Sequence, residues 1–154
     1  MASAAQTAAG SKLYVSASLP ATYDKAGFEA LTWTEIGEVT TIPSHGATYN
    51  IVTHSPLATR QIIKRKGSFD NGTLEVPYAY DIDETPDAGQ ALISSALNDD
   101  DSYSFWVDIK QKKAHYFTAV IAGNPTEPGG VDSIIMKTVS VAIDDNVLEV
   151  AAPV

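Results

Sequence analysis

Only one stretch of this chain has the apolar spacing of a helix, and it stands among segments that alternate in steps of two. Ala88, Ala91, Leu92, Ser95 and Ala96, with Ile93 and Leu97 alongside, follow the stripe of an amphipathic helix over 86–98. Thr85 is placed to cap it, Pro86 suits its first position, and Asp87 sets a carboxylate near the positive end of the dipole. Asp99-Asp100-Asp101 ends it, because three carboxylates are unfavourable in a final helical turn. A parallel sheet needs a crossover, usually helical, between its strands, and a single helix cannot supply them. The expectation is a mainly β fold: an antiparallel β-sandwich or barrel-like domain with one packed α-helix.

The strand segments fill in that outline. Lys12–Ser18 alternates, and a turn-rich stretch with Pro20, Asp24 and Gly27 follows. Leu31–Val39 reads as a strand by residue type, although its two faces are not cleanly apolar and polar. From Pro43 to Thr59 the chain reads as a long excursion, extended over Thr48–Thr53 and interrupted by Pro56. Arg60–Phe69 and Thr73–Tyr80 flank Asp70-Asn71-Gly72, and Asn-Gly favours the φ > 0 geometry of a hairpin turn. Pro77 lacks a backbone donor, so the second arm should lie at an edge or carry a bulge. Tyr103–Lys110 places Tyr103, Phe105, Val107 and Ile109 on one face. A charged turn over Lys110–Lys113 leads into His115–Ala122, and a Pro/Gly loop from Asn124 to Gly130 follows. Ser133–Asp144 is a long last strand with Ile135, Val139, Val141 and Ile143 on one face and Lys137 as the exception, and Val147–Val150 adds a short one. The organisation expected is a flexible arm over 1–11, one β domain over 12–150 with an extended loop and hairpin at 43–80, and a tail over 151–154.

Composition narrows the chemistry. There are 154 residues and no cysteine, so disulfides, thiol catalysis and cysteine-bound metal are excluded together. No apolar run approaches the length of a membrane span, and the Ala/Ser/Thr/Gln-rich N-terminus has neither the positive start nor the apolar block of a signal peptide. Synthesis in the cytoplasm is expected. The net charge is −9, from 10 basic and 19 acidic side chains, which rules out a broad phosphate-gripping surface.

Several patterns carry possible chemistry. Asp81-Ile82-Asp83-Glu84-Thr85 matches the DxDxT motif of haloacid-dehalogenase phosphatases, in which Asp81 would be nucleophile and Asp83 general acid. That family needs a doubly wound parallel sheet, and too little chain follows Asp83 to build one. Asp99, Asp100 and Asp101 lack the spacing, central Gly and terminal Glu of a calcium loop. His45, His54 and His115 have no paired spacing for zinc. Asn71-Gly72-Thr73 matches a glycosylation sequon, but nothing marks the chain for secretion. Trp33, Trp106, Tyr103 and Tyr116 could stack on sugars in a carbohydrate-binding β-sandwich, although aromatics at strand alternation usually belong to a core. Arg60, Lys64, Arg65 and Lys66 gather positive charge near the hairpin. They are either a solvated strand face or an attachment to acidic neighbours, and both readings stay open.

Three segments taken in order resemble a known family. Phe28–Thr41 (FEALTWTEIGEVTT), Asp87–Trp106 (DAGQALISSALNDDDSYSFW) and His115–Asp144 (HYFTAVIAGNPTEPGGVDSIIMKTVSVAID) are similar to an early strand and turn, a helix with acidic turn and aromatic strand, and the closing strand pair of lambda-like major tail proteins. Together they cover about half the chain, and lambda's own extra immunoglobulin-like domain has no counterpart here. The resemblance implies a non-enzymatic virion protein without cofactor or metal, assembled as hexameric rings that stack into the tail tube of a long-tailed phage. A tail terminator or completion protein is the related alternative. The implied partners are further copies of the chain, the tape-measure protein, the tail terminator and distal tail proteins, and genomic DNA in transit without specific binding, with no membrane. Candidate contacts between subunits are Pro56, Arg60, Lys64, Arg65, Lys66, Asn71 and Gly72; candidate acidic partner or lumen residues are Asp99, Asp100, Asp101, Glu127 and Asp132.

Overall fold

The computed structural model describes residues 4–83 and 87–153. In chain order they form β1 (Lys12–Ser16), α1 (Lys25–Glu29), β2 (Thr34–Glu35), β3 (Thr48–His54), β4 (Ile63–Asp70), β5 (Thr73–Ala79), α2 (Ala88–Leu97), β6 (Tyr103–Ile109), β7 (Lys113–Gly123), β8 (Thr126–Glu127), β9 (Met136–Ile143) and β10 (Leu148–Ala151). The mainly β, antiparallel expectation holds. Eight strands make one sheet in the order β2-β1-β6-β7-β9-β5, with β10 on β7 and β8 on β9, while β3 and β4 pair only with each other.

Alternation decides what the sheet buries. Leu13 and Val15, Phe105 and Val107, Phe117 and Ala119, Val139 and Val141, and Leu74, Val76 and Tyr78 point to one side, where Ile93 and Ala96 of α2 join them in a single core. The sheet curls until its ends nearly meet. Thr40 N donates to Pro77 O at 2.9 Å and Ala79 N to Glu38 O at 3.0 Å, so the segment after β2 docks on the edge strand β5. Pro77 sits on that edge strand, where its missing donor is tolerated as expected.

A buried polar network fixes the closure. Gln90 donates from Nε2 to Ala79 O at 3.0 Å and to Gly37 O at 3.3 Å, and accepts from Asp81 N at 2.9 Å. Asp87 caps α2 by accepting from Gly89 N and Gln90 N, and it also takes Gly37 N at 3.1 Å. A buried amide tolerates this position because every one of these bonds is made. The helix therefore faces inward with Gly89, Gln90, Ile93 and Ala96, Leu92 packs at the margin of the core, and Ala88, Ala91, Ser95 and Leu97 are exposed. The cap is Asp87; Thr85 and Pro86 lie outside the described residues.

Three further expectations are corrected. The stretch around Asp24 and Gly27 is not only turn: Asp24 accepts from Gly27 N at 2.7 Å and starts α1. Of Leu31–Val39 only Thr34–Glu35 is strand. The hairpin is the largest difference. β4 does not fold back on β5 across Asn71-Gly72; it pairs with β3, while β5 pairs with β9. Gly72 does adopt the positive φ, +92°, that an Asn-Gly step favours. The chain uses that turn to pass from the β3–β4 ribbon into the main sheet, so the long loop of the hairpin lies at 55–62.

Candidate functional site

The β3–β4 ribbon is the part of the molecule whose side chains are least accounted for by the fold. Its register runs from Thr48 opposite Asp70 to His54 opposite Ile63, with a bulge where Asn50 faces Gly67 and Ser68. Gly67 suits the bulge because a Cβ there would stand 3.0 Å from Val52 Cγ2. Asn50 Nδ2 donates to Ser68 Oγ at 3.1 Å, the Tyr49 and Phe69 rings lie 5.0 Å apart, and Lys66 Nζ sits 4.8 Å from the Tyr49 ring centre. These are contacts within the ribbon. Every residue of β3 is exposed, including Ile51 at 56% and Val52 at 58%, and Leu57 at the loop is fully so. An isolated two-stranded ribbon is marginal in water, so these apolar side chains lack the burial that a stable ribbon needs.

Charge sets the ribbon apart as well. Residues 48–70 carry four basic side chains against the one carboxylate of Asp70, a net of +3, which leaves −12 on the rest of a chain whose total is −9. Among the described residues, Arg60, Lys64, Arg65 and Lys66 form no ion pair; the pairs are Lys12–Glu35, Lys25–Glu29 and His115–Glu149. The structure thus places Lys64, Arg65 and Lys66 on β4, with Pro56 and Arg60 in the loop that joins the two strands. Asn71 and Gly72 do not belong with them. They are at the ribbon's root, where Asn71 is buried and Gly72 O accepts from Ile143 N at 3.2 Å.

The acidic candidates fall into two groups. Asp99, Asp100 and Asp101 are exposed in the turn between α2 and β6. They share an end of the sheet with the ribbon's root, because Tyr103 pairs with Ala119 and Ala119 with Ile143. Glu127 and Asp132 are exposed beyond the other end of β9, where β8 pairs with Met136 and Lys137. Val131 and Ile134 stand exposed beside them. Sequence reasoning missed these two, and it missed the apolar half of the ribbon, Tyr49, Ile51 and Val52. The signal was present as alternation in Thr48–His54.

The other sequence candidates find local roles. Asp81 accepts Asp83 N at 3.2 Å and Asp87 N at 3.0 Å, so both its carboxylate oxygens shape the turn into α2. Trp33, Trp106 and Tyr116 do meet, on the sheet face opposite the main core, while Tyr103 is buried in that core. There Phe28 of α1 stacks on Tyr116 at 5.0 Å, Tyr14 stacks on Trp106 at 4.2 Å, and Trp33 Nε1 donates to Phe28 O at 2.9 Å. Burial, with Glu29 and Asp108 nearby, pushes the Tyr116 hydroxyl up to about 12. These aromatics are a second small core. No group of three or more metal-ligating side chains occurs among the described residues, and no helix among them is long and apolar enough to cross a membrane.

No protein-family model matches the chain, and no curated protein matches it. Solved structures do. A chain of the six-fold symmetrised anti-feeding prophage baseplate matches over 100% of both chains at a TM-score of 0.71 and 8% identity. The sheath/tube terminator of the PVC extracellular contractile injection system matches over 98% of this chain and 100% of that one, at 0.71 and 7%. The tail tube protein of SPP1 matches over 94% of this chain and 77% of that one, at 0.59 and 18%. The fold is one these tail and injection assemblies share. Within it, the curled sheet with α2 holds the main core, and the basic ribbon pairs only with itself.

Proposed function

We propose that this chain is a non-enzymatic structural subunit of a phage tail, assembling as hexameric rings that stack into the tail tube through which DNA passes into the host. The observation that carries this reading is the exposed ribbon: +3 and apolar on both faces, on a body of −12, within a tail-structure fold. Like copies of such a molecule attract each other ribbon to body, and the attraction is directional. The ribbon leaves at the Ile143 end of β9, whereas Glu127, Val131, Asp132 and Ile134 lie beyond its Met136 end. Head-to-tail stacking brings Arg60, Lys64, Arg65, Lys66, Leu57 and Pro56 of one copy toward those groups of the next. Asp99, Asp100 and Asp101 are the acidic alternative for contacts within a ring. Six chains at −9 carry −54 in all, so DNA in transit meets repulsion rather than retention. Tape-measure, terminator and distal tail proteins would be the other partners, with the virion as the site of action and the host cytoplasm as the place of synthesis.

A single-ring component, such as a terminator, is the second reading, favoured by the match to a sheath/tube terminator over 100% of that protein. Electron microscopy of the purified protein separates the two. Hollow tubes support the tube subunit and isolated rings the terminator; monomers at every concentration and salt would remove both. Reversing Lys64, Arg65 and Lys66 to Glu is expected to leave circular dichroism unchanged and to abolish tube growth.

A further inference from the structure

His45 and His115, which the sequence separates by 70 positions, face each other with His45 Nε2 2.7 Å from His115 Nδ1. Their rings meet edge to face at 4.9 Å, and His45 also leans on Phe117. The two residues belong to different parts of the molecule. His115 lies inside β7, paired with Val107 on one side and Glu149 on the other. His45 lies in the segment that rises from the body into β3, directly before Gly46.

Gly46 and Gly72 mark the two places where the ribbon joins the body. Both have positive φ, +126° and +92°, and nothing lies within 4 Å of a Cβ placed on either. Glycine is needed at both for backbone conformation rather than for space, so two pivots of low torsional resistance sit side by side. One backbone bond, Gly46 N to Asn71 O at 3.3 Å, joins the two feet. Among the described residues, the side-chain hydrogen bond from the β3 foot to the sheet is the histidine pair.

We infer that the His45–His115 contact is a proton-controlled latch on a hinged ribbon, closed at neutral pH and released in acid. The bond across 2.7 Å needs one N–H and one bare nitrogen facing each other. Two neutral imidazoles provide this, and so does a pair that has gained one proton. When both rings are protonated, N–H faces N–H and like charges meet, so the bond is lost. The groups around the pair favour that order of events. Glu149 Oε1, on β10, is 3.9 Å from His115 Nε2 and remains a partner for the protonated ring after His45 departs. Lys113, on β7 itself, adds positive charge, and Pro43 O lies 3.1 Å from His45 Nδ1. The side chains beside His45 on its other flank, Val39, Thr40, Thr41 and Ile42 with Ala8, Ser11, Val107 and Ile109, are uncharged. Burial, then the neighbouring His45, hold His115 below the ordinary histidine value of 6.5 despite Glu149. The sign follows: burial opposes charging both rings together until the pH lies below 6.5, so the bond is intact above that value and is lost as pH falls below it.

The test uses the full chain at a dilution where it does not assemble, so its outcome is independent of the tube reading. The absence of cysteine allows clean spin labels at Ser55→Cys in the ribbon loop and Ser94→Cys on α2. One narrow distance distribution is expected at about pH 8 and a broad one at about pH 5, in the range where histidine titrates. His45→Ala is expected to give the broad distribution at both. NMR titration of the imidazoles supplies the second arm. His115 should titrate below 6.5 in the native chain and move upward in His45→Ala, which keeps its β7 strand and removes the neighbouring charge. A narrow, pH-independent distribution, a His45→Ala protein as ordered as the native one, or a His115 midpoint at or above 6.5 would each overturn the latch.

Discussion

The body and the ribbon are built from the same kind of strand, yet they obey opposite rules of burial. In the body, period-two alternation puts one set of side chains into a common core: Phe105, Phe117, Val76 and Val139 are all inaccessible to solvent. In the ribbon the same alternation has no core to serve, and Tyr49, Ile51, Val52 and Phe69 remain exposed although the strands are paired on both sides of the bulge. Backbone pairing and side-chain burial are thus separable. A strand pair can satisfy its ladder within one chain and still leave its faces to be completed by another molecule.

Removing the ribbon should separate the two regions most sharply. Replacement of 48–70 by a short Gly/Ser linker is expected to leave far-UV circular dichroism β-rich and thermal unfolding cooperative, while particles disappear from sedimentation and microscopy. A body that unfolds on this change would show that the ribbon belongs to the fold. Next in size is a matched pair of truncations. Phe105→Ala empties a fully buried site and is expected to cost about 3–5 kcal/mol in urea denaturation, whereas Phe69→Ala should stay within ~0.5 kcal/mol. The same Phe69 change should weaken assembly, reversing the ranking when particle formation is the readout. The smallest effect tests the closure. Asp87→Ala removes the α2 cap and the bond to Gly37, and should lower stability by about 1–2 kcal/mol without altering assembly. Loss of assembly in that variant would mean that the closure and the ribbon are coupled.

Much of the body was legible because burial leaves a period in the sequence. The strand carrying Tyr103, Phe105 and Val107 and the strand carrying Val139, Val141 and Ile143 were expected on the faces where they lie. The helix was legible in position but rotated in detail. Ala88 and Ala91 are too small to mark a face, and Gln90 goes inward because the backbone of Gly37, Ala79 and Asp81 receives it. Asn71-Gly72 signalled a turn and delivered one. Which strand lies across from β4 is decided by tertiary pairing of β5 with β9, and a local turn signal cannot report that. α1 is five residues long and is held by Asp24, too short for any period to appear. For the candidate site, the basic cluster of Lys64, Arg65 and Lys66 was visible as charge against an acidic background. Its apolar companions in β3 sat in a stretch read mainly as loop. The histidine pair left no trace, since His45 and His115 approach only when the curled sheet brings loop and strand together.

The closure that brings Glu38 and Thr40 against β5 has a consequence in time. The body's pairings join distant parts of the chain, Lys12 with Asp108 and Thr73 with Ala142, whereas the ribbon joins neighbours such as His54 and Ile63. Chains dominated by long-range strand pairing fold in about milliseconds to seconds, and a local hairpin in ~1–10 µs. The ribbon can therefore form and dissolve many times while the body is still searching for its topology. Throughout that interval its apolar faces and free edges would be open to other chains. Lys64, Arg65 and Lys66, consecutive on β4, would oppose the pairing of two such ribbons by like-charge repulsion during that time.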